Sequence, residues 1–456
     1  MEKEHGLVKD FLAGKIDRRN FIGRALALGI TLGGVEAVLQ ACGSGGNAGG
    51  KANISWSTWG DAARLKLFFD YTNQFNASHP DITAQFKPIP TTDIDYGAKI
   101  LTQLTGGVAP DVFYVPNSSM TQYIQDQVIA DLTPLLNGPK SQEKASDYID
   151  KLWGVSRTPD GKIYGVPVDC NPYVIWYNKT VLQEAGITQM PADLYEQGKW
   201  NRETFSSMLD KVAAKGKTGY ILTNATLMLW SWVTTNGGMV YDNNGRGKFV
   251  ANQEPRSIEA FTWLANNIRA KKIVYAGVLP KGQGADFAFI SNQAAFVSAG
   301  RYYLPAFRQA SNLQYDIVPL PPNTGKRLEP AGVPVTSMAV NSKTKYPDAA
   351  FQFLTSYVST AGQKFRIQGA GGSMPSIQGI DQIATSGNIP EHARYFIDTR
   401  NVGYAQFQAE DSTPGLTTDI LKELEPVWLQ GADVQQTLNK VANMANQRIT
   451  EAKSGQ

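Results

Sequence analysis

Two hydrophobic periods alternate along this chain. Asn53–Thr58 alternates as a half-buried strand does, and Trp59-Gly60-Asp61 closes it. Ala62–Phe75 then carries Leu65, Phe68, Phe69 and Phe75 at helical spacing, with Asp61 placed to cap the helix. Ile82–Ile89 predicts a second strand and Tyr96–Thr105 a helix stopped by Gly106-Gly107. Pro110–Val115 predicts a third strand closed by Pro116-Asn117. Strands alternating with helices indicate an α/β domain with a largely parallel sheet, and such sheets bind ligands beyond the carboxyl ends of their strands. Trp59 and Asp61, then Asn117 and Ser118, fall on one such rim.

The stretch Asp160–Leu182 breaks this rhythm. A turn at Pro159-Asp160-Gly161 leads into Ile163–Val168, which is interrupted by Gly165 and Pro167. A polar patch follows at Asp169–Pro172, and then the aromatic and β-branched run Tyr173–Tyr177. A strand broken in this way suits a segment leaving one sheet for another, though a kinked strand inside one domain has the same signature. Beyond it, Trp200–Lys215 predicts a helix with Asn201 as its cap, and Gly219–Thr223 a strand. Ala225–Thr234 is apolar, with Trp230 and Trp232, and stops at Gly237-Gly238. Ser257–Ala270 is amphipathic, and Gln293–Ser298 is a buried strand ending in Gly300-Arg301-Tyr302-Tyr303. Tyr315–Leu320 and Val333–Val340 predict strands and Tyr346–Val358 a helix. Gly369–Pro375 is glycine-rich, and the remainder to Lys453 is mostly helical. There is no tandem repeat and no apolar run after residue 51 long enough to span a bilayer.

At 456 residues the chain calls for two or three domains. A net charge of +3 against 83 charged side chains, with no basic stripe, gives no nucleic-acid footprint. Two cysteines, Cys42 and Cys170, cannot make a disulfide framework or a cysteine-rich metal site, and Cys170 suits a buried thiol without redox duty. His5, His79 and His392 are isolated in sequence and fit no metal motif, so no metal or cofactor is expected.

Residues 1–50 read as an address. Lys15, Arg18 and Arg19 precede an apolar run from Ala25 to Val35, 11 residues long. Leu39-Gln40-Ala41-Cys42 and the Gly/Ser-rich Gly43–Gly50 follow. This resembles a bacterial lipoprotein signal with a twin-arginine motif at RRNF and a lipobox at LQAC, although Asp17, Gly23 and Gln40 depart from the usual residues. It implies export, lipidation at Cys42, and a flexible tether of roughly 15 Å to the membrane surface. Gly45, Gly50 and Lys51 brush against the phosphate-loop pattern, but Ala52 stands where its Ser or Thr belongs.

Four segments in order, TGGVAPDVFYVPN (105–117), IYGVPVDCNPYVIWYNK (163–179), QAAFVSAGRYYLPAF (293–307) and GGSMPS (371–376), resemble the extracellular solute-binding proteins of ABC importers. The likeness is to the carbohydrate-binding family that includes maltose-binding protein. The resemblance implies a two-lobe α/β fold of the class II periplasmic-binding type, with mostly parallel sheets flanked by helices, a ligand cleft between the lobes and a hinge of several crossovers. It places the first lobe at 51–168 plus 321–360 and the second at 169–320 plus 361–456. Mapped position by position, it implies ligand contacts from Trp59, Asp61, Asn117, Ser118, Asp169, Trp230, Tyr302 and Gly332. The implied partners are a carbohydrate, an ABC permease with its ATPase, and the membrane through Cys42. No nucleic acid is implied, and the protein is expected to be monomeric, exported to the cell surface or periplasm. Asn117, Ser118 and Ser119 stand where maltose-binding relatives carry charged sugar contacts, so the same sugar does not follow.

The residue types suit a sugar. Aromatic planes cover the apolar faces of a pyranose, and carboxylates or amides bind its hydroxyl rim. Asp61 is equally a helix cap, however, and Trp230 and Trp232 also suit a core. Asp169 could satisfy backbone donors at a crossover, and Arg301 could pair a surface carboxylate. An enzyme is the rival class. A glycosidase needs two carboxylates about 5–10 Å apart, which 40 acidic residues do not exclude, but no Gly-x-Ser-x-Gly, His-Glu-x-x-His or Cys/His constellation occurs. A polyamine, amino acid or metal as the bound solute is a second alternative.

Overall fold

The computed structural model describes residues 51–60, 62–89, 93–280, 284–368 and 371–454; the expected export signal with Cys42, and Asp61, lie outside them. The strands are β1 (Ala52–Ser57), β2 (Ile82–Phe86), β3 (Val112–Pro116), β4 (Val166–Cys170), β5 (Val174–Asn178), β6 (Thr218–Leu222), β7 (Ile273–Tyr275), β8 (Ala294–Ala299), β9 (Tyr315–Val318) and β10 (Val335–Val340). They form two five-stranded sheets, in the orders β2-β1-β3-β10-β4 and β7-β6-β8-β5-β9.

Each sheet joins a parallel part to an antiparallel part. β1 runs parallel to β2 and β3, and β6 parallel to β7 and β8, as strand–helix alternation predicts. The sheets are mixed because two further strands complete each one antiparallel: β10 and β4 in the first, β5 and β9 in the second. One strand of each added pair enters directly from a lobe crossing.

β4 and β5 lie in different sheets, so the interrupted stretch is a crossing between them. Asp169 and Cys170, expected at the start of the second lobe, still pair with Thr336 and Val335 in the first sheet. Pro167 does not end β4, because β4 is an edge strand where a missing N–H costs nothing, and the register shifts beside it. The chain returns through 319–334 to β10 and the helix Pro347–Val358. It passes through helix Thr360–Ile367, where Phe365 packs 5.6 Å from Tyr71 of the first lobe. Only then does it cross again, and Phe396 packs 5.7 Å from Trp176 in the second lobe.

The crossings are hydrogen-bonded to one another. Cys170 and Met374 exchange N–H···O bonds of 2.9 and 2.8 Å, while Asn171 and Tyr173 donate to Pro334 and Gly332, each at 2.9 Å. Arg301 is 1% exposed and donates to the carbonyls of Ile367, Gly371 and Ser373, tying down the glycine-rich segment.

Each lobe has its own core. In the first, Trp56 stacks on Phe86 at 4.3 Å and meets Phe353 and Tyr357 of the returning helix at 5.3 and 5.2 Å. In the second, the Arg202 guanidinium lies 4.7 Å from the rings of both Trp232 and Trp263. Rings of this size dominate the apolar area removed from water, at about 25 cal/mol per Å². No helix among the described residues is long and apolar enough to cross a membrane.

Candidate functional site

The first two crossings line a cleft of about 590 Å³ whose walls come from both lobes. The first lobe supplies Trp59, Gly60 and Arg64 beyond β1, and Asn117 and Ser118 beyond β3. The second supplies Thr223 and Asn224 beyond β6, Thr226 and Leu227 from helix Thr226–Thr234, and Tyr302 beyond β8. These are the carboxyl ends of the parallel strands, where the fold leaves backbone and side chains free of the sheet. Gln406, Thr417 and Leu421 reach the same cleft from the C-terminal helical region.

Among the described residues three aromatic side chains line it: Trp59, Tyr173 and Tyr302. The Trp59 indole is held against Tyr96 at 4.9 Å and edge-on to Tyr114 at 5.8 Å. Tyr302 packs edge-on against Tyr303 at 5.0 Å, and Gly372 lets the third crossing approach its backbone, since a Cβ there would lie 3.1 Å from Tyr302 Cα. Amides and hydroxyls make up the polar lining, and among the described lining residues only Arg64 is charged.

Of the eight residues expected at a ligand, Trp59, Asn117, Ser118 and Tyr302 converge on this cleft, and Asp61 lies outside the described residues. Three expectations need correction. Trp230 is 0% exposed, because helix Thr226–Thr234 is buried from Thr226 to Val233; only its first turn faces the cleft, and the indole points to Glu410. Asp169 is paired beneath the surface with Arg366, 3.3 Å away. Arg366 also donates to the carbonyls of Val168 and Tyr357, each at 3.2 Å, and burial pushes the Asp169 carboxyl upward against the pull of Arg366. Gly332 serves close packing: its N–H donates to Ser231 Oγ at 2.9 Å, and a Cβ would fall 2.4 Å from Leu227 Cγ.

Arg64, Asn171, Tyr173, Thr226 and Gln406 were not anticipated at the cleft. Asn171 and Tyr173 flank the crossing already singled out, so their position held a clue. Gln406 sits in a region whose helical pattern carries no motif at all.

Away from the cleft, Asp316, Glu391 and His392 bring ligand atoms within 4.8 Å of one another. The Lys179 ammonium sits among them, 2.9 Å from Glu391 and 3.7 Å from Asp316, as a cation would. Cys170 is buried, and burial pushes its thiol up to about 12, which leaves it unreactive at neutral pH.

Residues 70–393 match the family described as bacterial extracellular solute-binding protein. The chain belongs to that family. The binding protein is 24% identical over 381 residues to the multiple sugar-binding protein of Streptococcus mutans, covering 79% of this chain and 83% of that one. It is 22% identical over 335 residues to the arabinooligosaccharide-binding protein of Bacillus subtilis, covering 70% and 72%. Its fold is that of the ABC substrate-binding protein Lmo0181 from Listeria monocytogenes, solved with cycloalternan, with a TM-score of 0.76 at 21% identity over 87% of this chain and 98% of that one.

Proposed function

We propose that this binding protein captures a neutral sugar or oligosaccharide between its lobes and hands it to an ABC permease. The observation that carries this reading is the cleft lining: Trp59, Tyr173 and Tyr302 beside amides and hydroxyls, with no carboxylate among the described lining residues. Aromatic faces take the apolar sugar surface, while neutral donors and acceptors take hydroxyls without desolvating a charge. Sugar-binding relatives of similar length support the same ligand class.

A polyamine would be drawn to carboxylates around its ammonium groups, and a glycosidase would need a carboxylate pair facing the cleft; the described lining offers neither. On this reading the protein acts by binding its solute. Ligand touches both lobes only when they close about the hydrogen-bonded crossings, so its extra affinity for the closed form shifts the population toward it. The closed form is what the permease and its ATPase meet. The protein works as an exported monomer, held at the membrane by lipid on Cys42.

Thermal-shift measurements against neutral mono- and oligosaccharides, polyamines and metal ions test the ligand class, since stabilisation follows RT ln(1 + [L]/Kd). A shift with neutral sugars is expected; a shift confined to polyamines or metals would overturn the reading. Cys42→Ala is expected to release the protein from the membrane fraction, and an unchanged fraction would remove the anchor.

A further inference from the structure

Beneath the cleft wall lies a buried carboxylate with an ordered set of partners. Glu410 is 2% exposed. Its Oε1 accepts from Trp230 Nε1 at 2.5 Å and from the Tyr241 hydroxyl at 2.9 Å. Its Oε2 accepts from Thr226 Oγ1 at 3.2 Å, and Thr226 Oγ1 in turn accepts from Gln406 Nε2 at 3.2 Å. Thr226 and Gln406 both line the cleft. A continuous chain of hydrogen bonds therefore links a buried acid to a cleft amide.

We propose that Glu410 is a positioning residue that decides, through Thr226, whether Gln406 offers the cleft an acceptor or a donor. The proposal rests on the reading of this cleft as the ligand site. With Glu410 ionised, Thr226 must donate to Oε2, so its oxygen is free to accept from Gln406 Nε2. One N–H of the amide is then engaged, and Gln406 Oε1, on the other side of the amide, is the acceptor offered to ligand. When Glu410 takes a proton from solvent, that proton goes to Oε2, because Oε1 is already occupied by an indole N–H, which can only donate, and a phenol. Oε2–H then donates to Thr226, whose own hydrogen turns toward Gln406. The amide rotates to accept it, and its NH₂ faces the cleft.

The surroundings put this change near neutral pH. Burial pushes the Glu410 carboxyl up to about 7, opposed by its bonds from Tyr241, Trp230 and Thr226. The other titratable groups that feel it are Asp411, Tyr241 and Tyr404, and no Lys, Arg or His of the described residues is among the groups that shift it. Burial, and after it the neighbouring Glu410, hold the Asp411 carboxyl well above the usual carboxylate range. A ligand atom that can only accept, such as a ring or glycosidic oxygen, gains a donor in the protonated state. A hydroxyl used as a donor gains an acceptor in the ionised state.

The test reads Gln406 directly in the ligand-free protein. Its side-chain amide signals in a ¹⁵N-correlated spectrum, assigned by their loss in Gln406→Met, are expected to shift between about pH 6 and about pH 8. The shift should persist in Thr226→Ser and vanish in Thr226→Val and in Glu410→Gln, which fixes a donor toward Thr226. Signals that stay still in the parent, or that move equally in Thr226→Val, would overturn the relay. Calorimetry with maltotriose, within a panel of neutral mono- and oligosaccharides, is expected to show affinity changing roughly two- to tenfold across the same range, the worth of one net hydrogen bond. That change should be absent in Glu410→Gln. Equal affinity at both ends of the range would overturn the effect on ligand. If no member of the panel binds but the amide titrates, the carbohydrate reading fails and the relay stands.

Discussion

The Trp230 indole donates to Glu410 across 2.5 Å in the interior of the second lobe, joining positions 180 residues apart. Trp230 is therefore a core residue with a polar tether, and its loss acts on the fold. Trp230→Ala is expected to cost about 3–5 kcal/mol of stability, from the cavity and from the donor taken from a buried carboxylate. Denaturant unfolding measures this. Calorimetry of the folded protein should show binding retained within about tenfold of the parent, the reach of the Glu410 relay, and parental stability with lost binding would return the ring to the cleft.

Trp59 and Tyr302 line the cleft from opposite lobes. Alanine at either position is expected to weaken sugar binding by about 1–3 kcal/mol while leaving the protein folded. Calorimetry on the ligand found by thermal shift decides it; two variants that bind like the parent would exclude both rings from the site.

Gly332 is where the second crossing presses on helix Thr226–Thr234. Gly332→Ala would put a methyl 2.4 Å from Leu227 Cγ, with two more Leu227 carbons at 2.9 and 3.1 Å. Overpacking of this kind costs about 1–3 kcal/mol. A lowered urea midpoint with unchanged slope is the expected result, and an unaltered midpoint would show that Leu227 can move aside freely.

Glu410 and Asp411 make stability depend on pH in a definite direction. Both carboxyls are raised in the fold by burial, so the folded chain keeps protons that the unfolded chain releases above about pH 4. Stability should therefore fall as pH rises from there through about 7, the Glu410 value, by roughly 3 kcal/mol for that group. Among the described residues neither Asp411 carboxylate oxygen has a hydrogen-bond partner, so Asp411→Asn should gain on the parent as pH rises. Unfolding free energies measured at about pH 5 and about pH 8 test this; a parent equally stable at both would mean that the two groups are already solvated in the fold.

Local chemistry was legible where a signal is short-range. Asn201 was expected to cap its helix, and its side chain accepts from the Thr204 N–H at 2.9 Å. Rim residues after β1 and β3 could be named because strand ends follow from hydrophobic period, which put Trp59, Asn117 and Ser118 beside the cleft. Trp230 could not be placed that way. An apolar helix with two tryptophans has the same pattern whether one face meets a ligand or all faces meet protein, and Thr226–Val233 proved buried throughout. Asp169 failed for a related reason: its partner, Arg366, stands 197 residues away in a helix with no motif.

The sequence alone determined where most strands and helices run and where the chain breaks from one regular run to the next. Those properties depend on residues within one or two turns of each other and on backbone geometry that every chain shares. Tertiary structure decided which strands share a sheet, that Pro167 sits harmlessly on an edge, and which polar side chains lie in the cleft. It also decided which of them lie beneath it, as Asp169 and Glu410 do. Burial and pairing are set by segments brought together from far along the chain, and a carboxylate's chemistry follows from that enclosure rather than from its neighbours in sequence.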